Sequence, residues 1–251
     1  MQRLHTRRRG LRRISNTWRR ATRDHLLNAR VALPADTLAR HQQAIDRHLE
    51  RGFPNLARGI VAFCWPYKNE YDARFLARRL RDRGAVTALP VVVAPKTPLV
   101  FREWHPGVRL ERGVYDIPYP VESREVQPDT VLLPMLGFDD AGYRLGYGGG
   151  FFDRTLAAAA RAPTVIGVVH QFAHLDTIYP QSYDIPMDWV VTERGVYRRD
   201  GGRLEFLGVP SGGSGSALSS PVCYADEVDP GYFGGREAEP KVAGGESGPK
   251  T

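Results

Sequence analysis

The segment richest in chemistry is residues 134–154, PMLGFDDAGYRLGYGGGFFDR. An extended stretch ends at Pro134. A loop follows with Gly142, Gly146, Gly148, Gly149 and Gly150, and a helix is predicted to start near Phe151. Glycine reaches positive φ at little steric cost and lets backbone N–H groups approach a ligand. A helix N-terminus adds unpaired N–H donors and a partial positive charge. Arg144 supplies a planar cation suited to phosphate oxygens. Asp153, in the first helical turn, supplies a hard oxygen that could hold Mg2+ against those phosphates. This is the chemistry of a phosphate site. The loop has no Gly-Lys-Ser/Thr, so it is not a Walker A sequence, and it is not a tidy dinucleotide fingerprint. On the residues alone, a tight strand-to-helix turn stays open as an alternative.

Other segments must position that loop. Trp18, Thr22, Leu26, Ala29 and Leu33 recur at helical spacing, and Pro34 interrupts them. A second helix follows with Leu38, His41, Ile45 and Leu49 on one face and Asp36 as its N-cap. The apolar, β-branched run 59–65 predicts a buried strand ended by Pro66. A helix is predicted over 69–83, with Phe75, Leu76 and Leu80 inward and Gly84 as its stop. Strands are predicted at 85–93, with Pro90 as a break or edge, and at 99–104, 130–133, 164–170, 189–192 and 203–207. The helix after the glycine loop is expected over 152–161. Alternating strands and helices predict an α/β fold of three layers, a mostly parallel central sheet with helices on both faces. The unit 130–133, helix, 164–170 reads as a right-handed βαβ crossover.

Composition bounds the remainder. The chain has 251 residues, 42% hydrophobic and 25% charged, ordinary for a globular protein. No apolar run approaches the roughly 20 residues that span a bilayer, and the N-terminus lacks the apolar region of a secretory signal. Two cysteines, Cys64 and Cys223, are too few for a disulfide framework or a cysteine zinc site. Cys64 reads as a buried free thiol, compatible with a reducing cytoplasm. The net charge of +7 is concentrated at one end: residues 1–20 hold eight arginines and no acid, which leaves −1 for the rest. A nucleic-acid-binding face on the main body is therefore not expected. Residues 1–15 read as a disordered basic arm, 16–207 as a single α/β domain, and 208–251 as a disordered Gly/Ser/Pro-rich tail.

The string from Gly142 to Arg154, GYRLGYGGGFFDR, closely resembles the hallmark of the 5-formyltetrahydrofolate cyclo-ligase family, and the preceding LPMLGFD fits it. A weaker likeness runs from about Arg19 to about Glu193. The resemblance implies an ATP- and Mg2+-dependent enzyme that closes 5-formyltetrahydrofolate to 5,10-methenyltetrahydrofolate, with release of ADP and phosphate. It implies ATP contacts at Arg19, where the family carries Lys, at Arg23, and at the adjacent Arg20. It extends these contacts to Arg144, Leu145, Gly146, Tyr147, Gly148, Gly149, Gly150, Phe151 and Phe152. Folate is implied at Glu70 and Trp65, from the stretch AFCWPYKNEYD, and at Tyr147, Gly148, Gly149, Gly150 and Phe151. A carboxylate at Glu70 suits the N–H donors of a pterin. Asp153 and Asp184 are implied as the metal pair, Asp184 preferred to the neighbouring Asp188, with Arg144 and Asp153 as the catalytic groups. Phe151-Phe152 stand where many members have tyrosines, which keeps ring stacking and removes two hydroxyls.

Other chemistry is thinly represented. His170 reads as a satisfied structural histidine, and there is no Gly-x-Ser-x-Gly elbow. A cytoplasmic monomer acting on folate and ATP is expected. The second reading is a non-catalytic folate- or nucleotide-binding protein on the same scaffold. The third is a nucleic-acid partner engaged through the arginine arm.

Overall fold

The computed structural model describes the backbone of residues 2–211 and the side chains of 15–211 apart from Tyr115. Two helices open the chain, α1 (Gln2–Val31) and α2 (Ala35–Gly52). Then come β1 (Ile60–Phe63), α3 (Ala73–Asp82), β2 (Val86–Val91) and β3 (Val100–Trp104). A small ribbon, β4 (Leu110–Arg112) with β5 (Pro118–Pro120), precedes β6 (Thr130–Pro134). After it lie β7 (Gly137–Asp139), β8 (Arg144–Leu145), α4 (Phe151–Ala158), β9 (Thr164–Val168) and β10 (His174–Leu175). The last strands are β11 (Trp189–Thr192), β12 (Gly195–Asp200) and β13 (Arg203–Gly208).

Eight strands form the main sheet in the order β13-β12-β11-β9-β6-β1-β2-β3. The five central strands, β2 to β11, pair in parallel. Antiparallel strands flank them, β3 on one side and the β12–β13 hairpin on the other. This is a mixed α/β fold with a large, mostly parallel sheet. The parallel strands are short and apolar, as expected where both faces are covered.

Alternation along each strand divides the core. Val61, Phe63, Leu132, Ile166 and Val191 pack with Ile45 and Leu49 of α2 and Leu76 and Leu80 of α3. Their strand neighbours Ala62, Val131, Leu133, Val165 and Val190 pack instead with Leu26 of α1, Phe138 and Leu145. Successive side chains of a strand point to opposite faces, so one run of residues serves both clusters. Each fully buried Leu or Ile contributes about 1.5–3 kcal/mol.

Several boundaries differ from the sequence expectation. The backbone of 2–15, expected as an unstructured arm, continues α1; arginine is a good helix former, and Gly10 is the only Gly or Pro there. Pro34, not Asp36, occupies the N-cap of α2. α3 starts at Ala73 rather than 69, because Lys68 and Asn69 take positive φ (46° and 60°) and the Asp72 side chain accepts from the Arg74 N–H as the cap. β2 runs through Pro90, which faces Phe101 of the edge strand. α4 is shorter than expected, and β9 ends before His170. The loop after β6 contains the β7–β8 hairpin, which joins β10 in a separate three-stranded sheet. β12 went unread because only its first two residues are buried. Of the tail expected to lack structure, Gly208 still closes β13, and residues 212–251, with Cys223, lie outside the described residues. Among the described residues no helix is long and apolar enough to cross a membrane.

Candidate functional site

The predicted site residues collect where the parallel strands end. The loop after β1 carries Trp65 and Glu70, and the loop after β6 carries residues 137–150. In α/β sheets the carboxyl ends of the strands are the usual ligand crevice. α1 supplies one wall. Leu26 lies against Gly137, where an added Cβ would come within 2.9 Å of Leu26 Cδ1 and 3.1 Å of the Ala173 carbonyl. A glycine there lets the helix seat closely on the hairpin.

Two arginines of α1 face the glycine loop and the acidic loop. Arg19 is buried; its Nη2 donates to Asp184 Oδ2 at 2.5 Å and to the Tyr179 carbonyl at 2.9 Å, and its Nε to the Ile178 carbonyl at 3.0 Å. Arg23 Nε donates to the Gly146 carbonyl at 2.7 Å. Burial first, and the charge of Arg19 second, depress the Arg23 pKa. Arg20 is exposed, one position round the helix from the buried Arg19.

Around the loop a second ion pair forms. Arg144 Nη2 donates to Asp153 Oδ1 at 2.6 Å and Nη1 to the Ile185 carbonyl at 2.7 Å. The Ile185 N–H donates back to Asp153 Oδ1 at 3.1 Å. Asp184 is the preceding residue, and its Oδ2 also accepts from the Gln181 N–H at 2.7 Å. One backbone step thus joins the two acidic positions. Burial depresses the Arg144 pKa, against the opposing pull of Asp153 and Asp184. Gly148 (φ +98°) and Gly150 (φ +62°) hold conformations that side chains disfavour, and Gly150 is the N-cap of α4. An added Cβ at Gly148 would sit 3.4 Å from Arg23 Cζ. Leu145 is buried in the core beneath the loop, and Phe152 packs on the same cluster. Phe151 lies under the Arg154 guanidinium, 5.1 Å from the ring centroid.

A third cluster surrounds Glu70. Tyr147 donates its hydroxyl hydrogen to Glu70 Oε1 at 2.6 Å, and the Tyr67 N–H donates to Oε2 at 3.0 Å. Arg30 stands 3.6 Å from the carboxylate, both side chains 4% exposed. Its Nη2 donates to Tyr147 Oη at 2.5 Å, and Nε donates to the Lys68 carbonyl at 2.8 Å. Burial raises the Glu70 pKa, with Arg30 acting against it, and burial together with Glu70 raises that of Tyr147. Burial also pushes the Cys64 thiol up, which makes it a poor nucleophile. Trp65 packs on the α2–α3 side of the core, with the Arg74 guanidinium 4.7 Å from its ring centroid.

The structure therefore brings Arg19, Arg23, Gly146, Asp153, Asp184 and Arg144 around the glycine loop, and Glu70 and Tyr147 together beside it. It leaves Arg20 on the surface, and it turns Leu145 and Phe152 into the core. Asp188 is structural: its Oδ2 accepts from the Val165 N–H at 2.8 Å. Sequence reasoning missed Arg30. The signal was present, because 19, 23 and 30 recur at four and seven residues, the spacing of one helical face.

Both acidic positions retain capacity for a cation. The hydrogen bonds recorded among the described residues use Asp153 Oδ1 and Asp184 Oδ2, so the other oxygen of each remains for a hard ion. A donor set of carboxylate oxygens fits Mg2+ rather than a softer metal.

Comparison with known proteins follows the same outline. The profile of the 5-formyltetrahydrofolate cyclo-ligase family matches residues 15–193. The 5-formyltetrahydrofolate cyclo-ligase of Mycolicibacterium smegmatis is 33% identical over 183 residues, covering 69% of this chain and 93% of that protein. The enzyme of the same name from Escherichia coli is 30% identical over 175 residues, covering 67% and 96%. Among solved structures, Aquifex aeolicus 5,10-methenyltetrahydrofolate synthetase matches with a TM-score of 0.64 at 29% identity, over 75% of this chain and 97% of that one.

Proposed function

The chain belongs to the 5-formyltetrahydrofolate cyclo-ligase family, and on that premise we propose that it uses Mg-ATP to cyclise 5-formyltetrahydrofolate to 5,10-methenyltetrahydrofolate, releasing ADP and phosphate. The class of enzyme, a 5-formyltetrahydrofolate cyclo-ligase, rests on that kinship. The observation that carries the residue roles is the pair of arginine–aspartate contacts, Arg19–Asp184 and Arg144–Asp153, facing one glycine loop.

In this reading the formyl oxygen attacks the γ-phosphorus and ADP departs. N10 then attacks the formyl carbon, and phosphate leaves as the ring closes. An amide oxygen is a weak nucleophile, so the protein must position it and spread charge on the phosphoryl group. Arg19, Arg23 and Arg144 supply fixed positive charge, and the N–H groups of 146–150 at the start of α4 supply donors. Asp153 and Asp184 would hold the metal, which, when bound, neutralises charge on the phosphate oxygens. Glu70 takes the pterin N–H groups, and Arg30 and Tyr147 fix the direction of its carboxylate. Trp65, Tyr147 and Phe151 are assigned to the apolar wall that excludes water. No side-chain nucleophile is required. The frame is a three-layer domain over residues 16–207, and the enzyme is assigned as a cytoplasmic monomer.

The test is to mix purified chain with Mg-ATP and 5-formyltetrahydrofolate and follow methenyl-folate absorbance. A rise that requires both ATP and Mg2+ is expected. Folded protein that gives no rise would overturn the proposal in favour of a binding protein on the same scaffold.

A further inference from the structure

Beside the folate loop, three side chains with no part in the proposed reaction converge. His41 comes from α2, His170 from just beyond β9, and Glu193 from the residue after β11. One ligand atom from each lies within 4.8 Å of the others. His41 Nδ1 is 3.0 Å from His170 Nδ1 and 3.9 Å from Glu193 Oε2. Two ligands of a tetrahedral ion bonded at about 2.05 Å stand about 3.3 Å apart, so the two imidazoles are already near that separation.

We propose that His41, His170 and Glu193 form a binding site for a transition-metal dication of the zinc class, separate from the Mg2+ expected at the phosphates.

Three observations support it. First, His170 Nε2 faces the Asn69 carbonyl at 3.2 Å. Donation there places the ring hydrogen on Nε2 and leaves the Nδ1 lone pair aimed at the cluster, the arrangement in which an outer carbonyl orients a ligating imidazole. Second, His170 is buried, so its ring is held by packing and its Nδ1 is shielded from bulk water. Third, Glu193 is held in place by the Gln171 N–H on Oε2 at 2.9 Å. The side chains of His41 and Glu193 are 19% and 15% exposed, enough for an ion to enter and for water to complete the shell. Two imidazoles with one carboxylate favour zinc, cobalt, nickel or copper over Mg2+, which prefers oxygen.

The site would clamp α2 to the ends of β9 and β11. Through the Asn69 carbonyl it touches the residue next to Glu70. It does not depend on the ATP reading, since its ligands and metal class are different.

The experiment uses the full chain without an affinity tag, freed of metal with a chelator. Zn2+ is titrated by calorimetry, and Co2+ is added as an optical probe, both with Mg2+ in excess. One equivalent is expected to bind despite Mg2+, to give a visible cobalt spectrum of low symmetry, and to raise the unfolding temperature. His41→Ala and His170→Ala should each weaken binding a hundredfold or more, and His105→Ala should not. If a histidine variant fails to fold, Glu193→Gln decides, because its amide oxygen can still accept the Gln171 N–H; a tenfold or greater loss is expected. No binding by folded chain, or equal binding by native chain and Glu193→Gln, would overturn the site. Cyclo-ligase activity is measured separately, so failure of one assignment leaves the other standing.

Discussion

Arg30 is the side chain that holds the cluster around Glu70, the proposed folate end of the site. It faces Glu70 and Tyr147 and donates to the Lys68 and Met135 carbonyls, with only 3% of its surface exposed. Removing one partner of a buried ion pair costs about 3–5 kcal/mol. Arg30→Ala should therefore lower stability by about that amount, measured by urea unfolding, and should raise the KM for folate more than that for ATP. Glu70 makes a separate prediction. Its pKa is raised by burial, so between the usual glutamate value and its own the folded chain holds more protons than the unfolded one. Stability must then fall as pH rises through that window. In Glu70→Gln that part of the slope should vanish, seen as a flatter plot of unfolding free energy against pH. An unchanged slope would mean that Glu70 ionises as freely in the folded chain as in the unfolded. At this scale the sequence showed the residue types but not their neighbours. The family-like motifs pointed to Glu70 and Asp184, whereas the joining of Glu70 to Tyr147 spans 77 positions, and periodicity says nothing about that.

The glycine loop works through backbone conformation, which divides its residues. Gly150 caps α4 with φ +62°, and Gly148 has φ +98°. Gly146 has no positive φ recorded and has open space where a Cβ would stand. Gly150→Ala should cost roughly 1–2 kcal/mol, the left-handed penalty, and slow the ATP-dependent step. Gly146→Ala should be close to neutral in both measurements. Equal losses in the two variants would show that glycine flexibility, not a fixed shape, is what the loop requires. The elements carrying this loop were mostly legible. β1, β6, β9 and β11 are short apolar runs between breakers, and α3 has apolar residues at helical spacing. The β7–β8 hairpin and β12 were not, because a two- or three-residue strand and a strand exposed over most of its length leave no apolar run to read.

At the scale of the molecule, the two core clusters among the described residues run from Leu26 to Val196. β13 closes one edge of the sheet through Gly208 pairing with Val196, and Pro210 stands 3.3 Å from where a Cβ on Gly52 would lie. A cut after Leu207 would remove both contacts. A chain ending at Ser211 retains β13 and the Pro210 contact, and it is expected to keep its unfolding temperature within roughly 2 °C of the full chain, a change of about 0.5 kcal/mol or less, and its turnover within twofold. Insoluble protein from that truncation would mean that residues 212–251 contribute to the fold. The fold class was legible because strands and helices alternate along the chain. The extent of α1 was not, because a run of arginines carries the same charge whether helical or unstructured.

α1 also acts as a ruler. Arg19 engages the acidic loop, Arg23 the glycine loop, and Arg30 the cluster around Glu70. At 1.5 Å per residue, the first and last of these stand about 16 Å apart along one rigid axis. The distance between the proposed phosphate end and the proposed pterin end is thus written in residue counts on a single helix. Inserting one residue between Arg23 and Arg30 would turn Arg30 by about 100° around the axis, leaving Arg19 and Arg23 calibrated and Arg30 out of register with Glu70.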